Sequence, residues 1–194
     1  MSVHGLLLAA GAGTRMGGPK ALVHDTDGSW LRRAAAVLRD GGCDDVTVVL
    51  GAGAGRARDL LADEQAGVVV AEDWAEGMGA SLRAGLAALA GGDADAAVVT
   101  LVDLPDLTAE VLARLLATGA DRATLARAAY DGVPGHPVVL GRDHWGGVRD
   151  TATGDRGARD YLAGREVRLV ECGDLATGAD RDTPAPHTPD PTAP

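Results

Sequence analysis

Residues 8–20 read LAAGAGTRMGGPK and follow a short apolar run at the start of the chain. Small residues at the front of this stretch let a backbone approach a ligand closely. Arg15 and Lys20 add two cations, one with a planar fork of donors and one with a mobile point charge. A glycine-rich turn with two cations, placed after a buried strand, predicts a loop that cradles phosphate groups.

Two familiar phosphate loops are excluded by single residues in this stretch. The Walker loop requires GxxxxGK, and although Gly13 and Gly18 have that spacing, Pro19 stands where the lysine belongs. The dinucleotide fingerprint GxGxxG begins at Gly11 and Gly13, but Met16 occupies the third glycine position. The stretch therefore represents a third kind of phosphate-binding loop. A second glycine cluster, at residues 51–55, is interpreted as an ordinary turn between a strand and a helix.

Alternating strands and helices surround the loop. Over the first 120 residues, the patterns predict strands at Val3–Ala9, 46–50, 68–71 and 96–102, and helices at 30–39, 56–63, 80–90 and after Thr108. This alternation indicates βαβ units around a parallel sheet. Beyond residue 120 we expect an antiparallel excursion (123–130 and 137–140), a helix at 156–163 and a strand at 167–171. The prediction is one domain, residues 1–183, with a Pro- and Thr-rich disordered tail at 184–194.

Composition limits the classes of partner. The net charge of −10 argues against nucleic acid and anionic membrane surfaces, because both require clustered Lys and Arg. Two cysteines are too few for a disulfide framework, so a reduced, cytoplasmic setting is expected. Neither a membrane-spanning stretch nor a signal peptide is expected from the sequence.

In order and spacing, the elements LAAG, RMG and PK resemble the signature of small nucleotidyltransferases that include the molybdenum cofactor cytidylyl- and guanylyltransferases. The resemblance implies an α/β, Rossmann-like nucleotidyltransferase (GT-A-like) fold with a mixed, mostly parallel sheet. It also implies that the loop wraps a nucleoside triphosphate and that Arg15 and Lys20 act on its phosphates. Ala10 stands where guanylyl members usually have glycine, which favours CTP. The nucleotide-binding residues implied in the loop are Leu8, Ala9, Ala10, Gly11, Gly13, Thr14, Arg15 and Lys20.

A second motif, EGMGASL at residues 76–82, resembles the cytidylyl-type branch where the base and ribose are held. Gly77 and Ser81 are therefore expected to bind nucleotide as well. A plain loop followed by a helix-capping serine remains the alternative.

Carboxylates near two prolines are the candidate metal ligands. Asp103 lies in LVDLP at the predicted carboxyl end of a parallel strand, where such sheets bind ligands, and Mg²⁺ prefers one or two carboxylates plus phosphate oxygens. The alternative is that Asp103 only begins a turn. The resemblance makes Asp103 catalytic and metal-binding, and the late motif DRDTP at 180–184 implies Asp182 or Asp180 as a second ligand, without choosing between them. The family's closing helix is not expected here, because residues 185–189 read APHTP.

Two further motifs resemble the family's acceptor side, GHP at residues 135–137 and GDRGAR at 154–159. They imply that His136, Asp155 and Arg159 bind the acceptor. A structural histidine, and a helix cap with a solvated arginine, are the alternatives that stay open.

Together these expectations describe transfer of CMP from CTP to the phosphate of a molybdopterin-type acceptor, with Mg²⁺ as cofactor and pyrophosphate as leaving group. By resemblance, the product would serve a molybdoenzyme of the xanthine dehydrogenase type. Two alternatives remain: the same chemistry with GTP or another acceptor, and a non-catalytic protein that delivers the cofactor.

Overall fold

The computed structural model describes residues 1–182, which form nine strands and six α-helices. In chain order these are β1 (Val3–Ala9), β2 (His24–Asp25), β3 (Gly28–Ser29), α1 (Trp30–Asp40), β4 (Asp45–Leu50), α2 (Ala54–Leu60), β5 (Gly67–Val70), α3 (Met78–Leu89), β6 (Ala96–Leu101), α4 (Ala109–Leu116), β7 (Leu125–Tyr130), β8 (Val133–Gly141), α5 (Trp145–Thr151), α6 (Arg159–Leu162) and β9 (Arg168–Glu171).

Seven strands form one mixed sheet in the order β5-β4-β1-β6-β8-β7-β9, and β2 and β3 make a separate short hairpin. The pairs β5–β4, β4–β1, β1–β6 and β7–β9 are parallel, whereas β8 is antiparallel to both β6 and β7. The sheet therefore confirms the predicted parallel half and the antiparallel excursion after residue 120. The carboxyl ends of β1 and β6 lie side by side, which is where ligands bind in open α/β sheets.

Helices cover both faces of the sheet, and β1 shows how the sequence requires this. Leu7 and Ala9 point into a core shared with α1, α2 and α4, while Leu6 and Leu8 point into a second core shared with α3, α5 and α6. Because successive side chains of a strand alternate between faces, a continuous apolar run needs cover on both sides.

Two helical predictions differ from the structure. Helix α5 was not predicted, since its sequence WGGVRDT has two glycines; it is held by tertiary contacts, with Trp145 buried and its Nε1 donating to the Leu140 carbonyl at 2.8 Å. The helix predicted at 156–163 is instead a 3₁₀ turn, Gly154–Arg156, followed by the short α6. Gly157 separates them at φ 53°, a left-handed conformation that interrupts a helix.

Among residues 1–182, no helix has both the length and the apolar character needed to cross a membrane. The predicted tail at 184–194 lies outside the described residues.

Candidate active site

A cavity of about 400 Å³ opens at the carboxyl ends of β1 and β6. Its walls come from the loop after β1, the start of α3 and the segment after β6. All ten residues for which the family resemblance implies nucleotide binding line this cavity. The structure thus brings the two predicted nucleotide motifs together around one space, and their binding role stays a prediction.

The loop after β1 closes on itself through Gly13. This residue adopts a left-handed conformation at φ 57°, and its carbonyl accepts hydrogen bonds from the amides of Met16 (2.8 Å) and Gly18 (3.1 Å). A β-carbon at position 13 would lie 2.0 Å from the Gly18 carbonyl oxygen. The position therefore requires glycine for both its backbone angle and its close packing.

The second glycine cluster supports this loop from behind. The amide of Ala52 donates to the Ala10 carbonyl at 3.0 Å, and a β-carbon at Gly51 would come within 2.6 Å of both that oxygen and the Trp74 ring. The turn between β4 and α2 consists of residues 51–53, in agreement with the interpretation as a strand-to-helix turn, and the helix begins at Ala54, two residues before the predicted start.

Three carboxylates meet at the edge of the cavity. Asp103, Asp180 and Asp182 each offer an oxygen, and these atoms lie within 4.8 Å of one another. We call these three residues the acidic cluster. Lys20 Nζ donates to Asp103 Oδ2 at 2.5 Å and to Asp182 Oδ1 at 2.6 Å, and Arg15 Nη1 donates to Asp182 Oδ2 at 3.0 Å.

The cations and carboxylates shift one another's protonation. The Lys20 hydrogen bond lowers the pKa of Asp182, and the positive charge of Arg15 acts in the same direction. Burial alone would lower the pKa of Lys20, but its hydrogen bonds to Asp103 and Asp182 outweigh burial and raise that pKa. Both side chains are therefore charged at neutral pH, and the acidic cluster already holds one cation, the Lys20 ammonium.

The donor set of the acidic cluster fits a divalent metal ion. Three carboxylate oxygens within reach of one point are hard ligands of the kind Mg²⁺ and Mn²⁺ take. The sequence left Asp180 and Asp182 as alternatives for the second ligand, and the structure places both beside Asp103.

The last described residues, 177–182, carry two of the three carboxylates, and we call them the C-terminal segment. Thr177 fixes its start, because the amide and the hydroxyl both donate to Asp106 Oδ2, at 2.6 and 2.5 Å. Arg181 fixes its end, since its amide donates to the Asp103 carbonyl at 2.9 Å and its guanidinium lies 5.7 Å from the centre of the Trp30 ring.

A second cavity of about 300 Å³ adjoins the first and shares Leu8, Met78, Leu101 and Asp155 with it. His136 and Arg159 line the second cavity, as does Asp180 of the acidic cluster. The three residues predicted to bind the acceptor are thus brought together, next to the predicted metal ligands. Their role in acceptor binding is still a prediction.

A bulge between β7 and β8 delivers His136 to this second cavity. The register jumps from Arg127 opposite Val138 to Ala129 opposite Pro134, so residues 135–137 leave the ladder. Such bulges aim side chains at functional sites. The His136 carbonyl accepts a hydrogen bond from the Tyr130 hydroxyl at 2.7 Å. This bond gives a partner to a carbonyl that the bulge takes out of the β7–β8 ladder.

The His136 ring is neutral at physiological pH. Burial lowers the pKa of His136 to about 4, and the charge of Arg127 acts in the same direction. Nδ1 lies 3.4 Å from the Val99 carbonyl oxygen, which can only accept, so we assign the ring proton to Nδ1 and leave Nε2 as a hydrogen-bond acceptor.

Two cavity residues were missed by sequence reasoning. Trp74 forms a wall of the first cavity, three positions before Gly77. Arg127 lines the second cavity, and the available signal was a lone arginine within the otherwise apolar strand LARAAY.

The chain is similar to a known protein family and to a characterised protein over most of its length. The family model described as "MobA-like NTP transferase domain" matches residues 5–171. Nicotine blue oxidoreductase of Paenarthrobacter nicotinovorans is 38% identical over 191 residues, covering 93% of this chain and 92% of that protein.

Solved structures are similar over almost the whole chain. Rv0371c of Mycobacterium tuberculosis H37Rv is 29% identical with a TM-score of 0.78, covering 93% of both chains. A manganese complex of Rv0371c is 30% identical with a TM-score of 0.73, covering 93% of this chain and 94% of that one. The CTP:phosphocholine cytidylyltransferase LicC of Streptococcus pneumoniae, at 14% identity and a TM-score of 0.69, covers 94% of this chain and 95% of its own; it shows the fold alone. The predicted Rossmann-like nucleotidyltransferase fold is confirmed.

Proposed function

The chain belongs to the MobA-like NTP transferase family, and from this premise we propose that it transfers CMP from CTP to the phosphate of a molybdopterin-type acceptor. An acceptor phosphate oxygen would attack the α-phosphorus of CTP, and the bond from that phosphorus to the β-phosphate oxygen would break, releasing pyrophosphate. One observation carries the proposal: the acidic cluster lies where the two cavities meet, since Asp103 and Asp182 line the first and Asp180 lines the second.

The first cavity supplies what a triphosphate needs. The loop backbone lies close to the space, and Arg15 and Lys20 offer positive charge at its edge. Charge neutralisation and alignment account for most catalysis of phosphoryl-group transfer. The buried Ala10 methyl narrows the cavity relative to glycine, which supports a pyrimidine, and the Trp74 ring offers a face for the base.

Ser81 supports nucleotide binding near the base and ribose. Its side chain is buried at the start of α3 and lines the first cavity. A hydroxyl of this kind can donate to or accept from a ribose or base.

The acidic cluster would hold the metal ion, for which Mg²⁺ is our proposal. Bound there, the ion would supply Lewis-acid neutralisation of phosphate charge. The manganese complex of Rv0371c supports a divalent ion for this fold.

The second cavity would bind the acceptor through Arg159, Asp155 and His136. No general base is required, because a phosphate nucleophile is already anionic, and the low pKa of His136 suits a hydrogen-bonding role rather than proton uptake at a cationic site. We also propose that the protein acts in the cytoplasm, which suits its two unpaired cysteines, and that it serves a molybdoenzyme of the xanthine dehydrogenase type.

Pyrophosphate release tests this function. Purified protein with Mg²⁺ and molybdopterin should release pyrophosphate faster from CTP than from GTP, and little without acceptor. Asp103→Asn should lower the rate by at least ~100-fold with the fold intact, because it removes a proposed metal ligand. Asp150→Asn, an exposed change of the same type, is the matched control.

Three outcomes would each contradict a different part of the proposal: the nucleotide, the metal ligand or catalysis itself. A preference for GTP would remove the CTP assignment, and near-normal turnover by Asp103→Asn would remove the metal role of Asp103. Binding of molybdopterin without any pyrophosphate release would favour the accessory-protein alternative.

A second candidate function rests on the relative with 38% identity, which is an oxidoreductase by name. A reduced dinucleotide could place its pyrophosphate in the loop after β1, and a conjugated pigment could occupy the second cavity. Oxidation of NADH or NADPH upon addition of nicotine blue, followed at 340 nm, would support this candidate. Absence of that oxidation, together with CTP-dependent pyrophosphate release, would exclude it.

A further inference from the structure

We propose that Arg127 is the residue that selects the acceptor, by binding an oxyanion carried on a conjugated ring in the second cavity. The inference rests on the proposed function in one respect, that this cavity is the acceptor site. It adds a residue and a ligand chemistry that the sequence motifs did not supply.

The position of Arg127 leaves most of its donors available. The side chain is half-buried on β7 and lines the second cavity. Its Nε and Nη2 donate to the Gly135 carbonyl at 3.1 and 3.0 Å, which fixes the guanidinium against the bulge. A guanidinium carries five N–H groups, so three remain, and they make no hydrogen bond with residues 1–182.

Arg127 also lacks a counter-charge within the described part of the chain. No carboxylate of residues 1–182 lies within ion-pair distance of it, although ten other ion pairs are formed there. The pKa of Arg127 is lowered by burial and by the positive charge of Arg159. A half-buried, unpaired guanidinium facing a second cation in a cavity is a site for an anion. A bound anion would offset both the cost of burying the guanidinium charge and the repulsion between Arg127 and Arg159.

The other groups around the cavity define the ligand further. Two carboxylates line it, Asp155 at the exposed side shared with the first cavity and Asp180 in the acidic cluster, and Arg156 is paired with Asp160. His136 is neutral and offers a hydrogen-bond acceptor, as described above.

Apolar side chains supply most of the remaining wall, including Leu82, Val99, Val138 and Leu140. A cavity of about 300 Å³ is at the small end of ligand sites and accepts a single heterocycle. An apolar wall, a charged fork and one neutral acceptor together fit a flat conjugated ring with a carboxylate or enolate oxygen and an N–H group.

The alternative is that Arg127 only holds the bulge in place. Its bonds to Gly135 are consistent with that role, so a loss of activity alone would not separate the two. The separating readout is charge selectivity: loss of a structural residue would weaken charged and neutral ligands alike, whereas loss of an oxyanion-binding residue would weaken only the charged one.

The test measures binding of two fluorescent probes, pterin-6-carboxylate and uncharged pterin, to full-length protein by fluorescence titration. Arg127→Gln should weaken binding of the carboxylate by ~10- to 100-fold, the range for hydrogen bonds to charged groups, and that of pterin by less than about threefold. Arg127→Lys keeps the charge without the fork and should lie between wild type and Arg127→Gln. Arg122→Gln, exposed and outside both cavities, is the control for net charge.

Several outcomes decide the matter. Equal weakening of both probes, or no weakening of the carboxylate in Arg127→Gln, would overturn the inference. If Arg127→Gln does not fold, Arg127→Lys carries the test, and unchanged carboxylate binding there would overturn it. CTP affinity should be unchanged in these variants, because Arg127 does not line the first cavity. If wild type binds the carboxylate through Arg127 but releases no pyrophosphate, the inference stands and the proposed reaction fails.

Discussion

Lys20 is the only lysine among the 18 Lys and Arg residues of the chain, and its ammonium contacts two members of the acidic cluster. Arginine would offer a rigid planar fork, whereas lysine offers a compact charge on a flexible stem. In the structure its ammonium is bound by Asp103 and Asp182, two of the three proposed metal ligands. A divalent ion at the proposed site would therefore compete with the ammonium for the same oxygens, and a triphosphate would give Lys20 other partners.

Replacing Lys20 by glutamine should tighten metal binding while weakening binding of CTP. Without the ammonium, the carboxylates of the acidic cluster keep their negative charge, and no lysine beside them repels the metal ion. Coulomb energies at ~4 Å, even with an effective dielectric constant near that of water, correspond to roughly tenfold or more in Mn²⁺ affinity. Isothermal titration with Mn²⁺ in the absence of nucleotide measures this change directly.

Arg114→Gln is the matched control for this prediction, because it removes the same charge from an exposed ion pair with Asp174. Its Mn²⁺ affinity should equal that of wild type. If Lys20→Gln bound Mn²⁺ no more tightly than Arg114→Gln, competition between the ammonium and the metal would be refuted.

At the scale of elements, the loop after β1 depends on the backbone of Gly13 rather than on its general flexibility. Gly13→Ala should abolish CTP binding, because its β-carbon would overlap the Gly18 carbonyl and the loop could not close. Gly17→Ala has a similar positive φ, 79°, but nothing within 4 Å of the new β-carbon. It should cost about 1 kcal/mol in stability and keep CTP binding. Equilibrium dialysis with CTP and urea denaturation check the two variants, and equal CTP affinity in both would contradict a steric role for position 13.

The elements near the loop were predictable because their signals are local. The apolar strand β1, the glycines after it and the helix α3 follow from patterns within about a dozen residues. The bulge at residues 135–137 was not predictable, since it arises from the register of β8 against β7. Helix α5 is likewise fixed by burial of Trp145 and not by helix propensity.

The candidate site shows the same division. Arg15, Lys20 and Asp103 could be named from motifs, but the choice between Asp180 and Asp182 could not be made, because both belong to one segment that crosses the site. Arg127 carried no motif at all. Its significance comes from facing the bulge and the second cavity, which only the folded chain brings together.

For the whole molecule, the site joins both ends of the described chain. Lys20 and Asp182 are 162 positions apart, and their contact is held by Thr177 on Asp106 and by the Arg181 amide on the Asp103 carbonyl. The sheet itself ends earlier, with β9 at Glu171. The sheet is thus complete at Glu171, whereas two of the three carboxylates of the acidic cluster come from the C-terminal segment that follows it.

Two truncations separate these parts. A chain that stops after Asp182 should keep Mn²⁺ affinity and pyrophosphate release, because the acidic cluster is complete at Asp182 and residues 184–194 are predicted to be a disordered tail. A chain that stops after Ala176 loses two of the three carboxylates and the Thr177 anchor, while every strand of the sheet remains. Its Mn²⁺ affinity should fall by ~100-fold or more, since few divalent sites persist on one carboxylate, and its melting temperature should fall by only a few degrees.

Calorimetric titration with Mn²⁺ and thermal unfolding distinguish loss of the acidic cluster from loss of the fold. The full-length double variant Asp180→Asn, Asp182→Asn should reproduce the metal defect. If the shorter chain bound Mn²⁺ like wild type, Asp103 would hold the ion without the C-terminal segment, and the acidic cluster would not be the metal site.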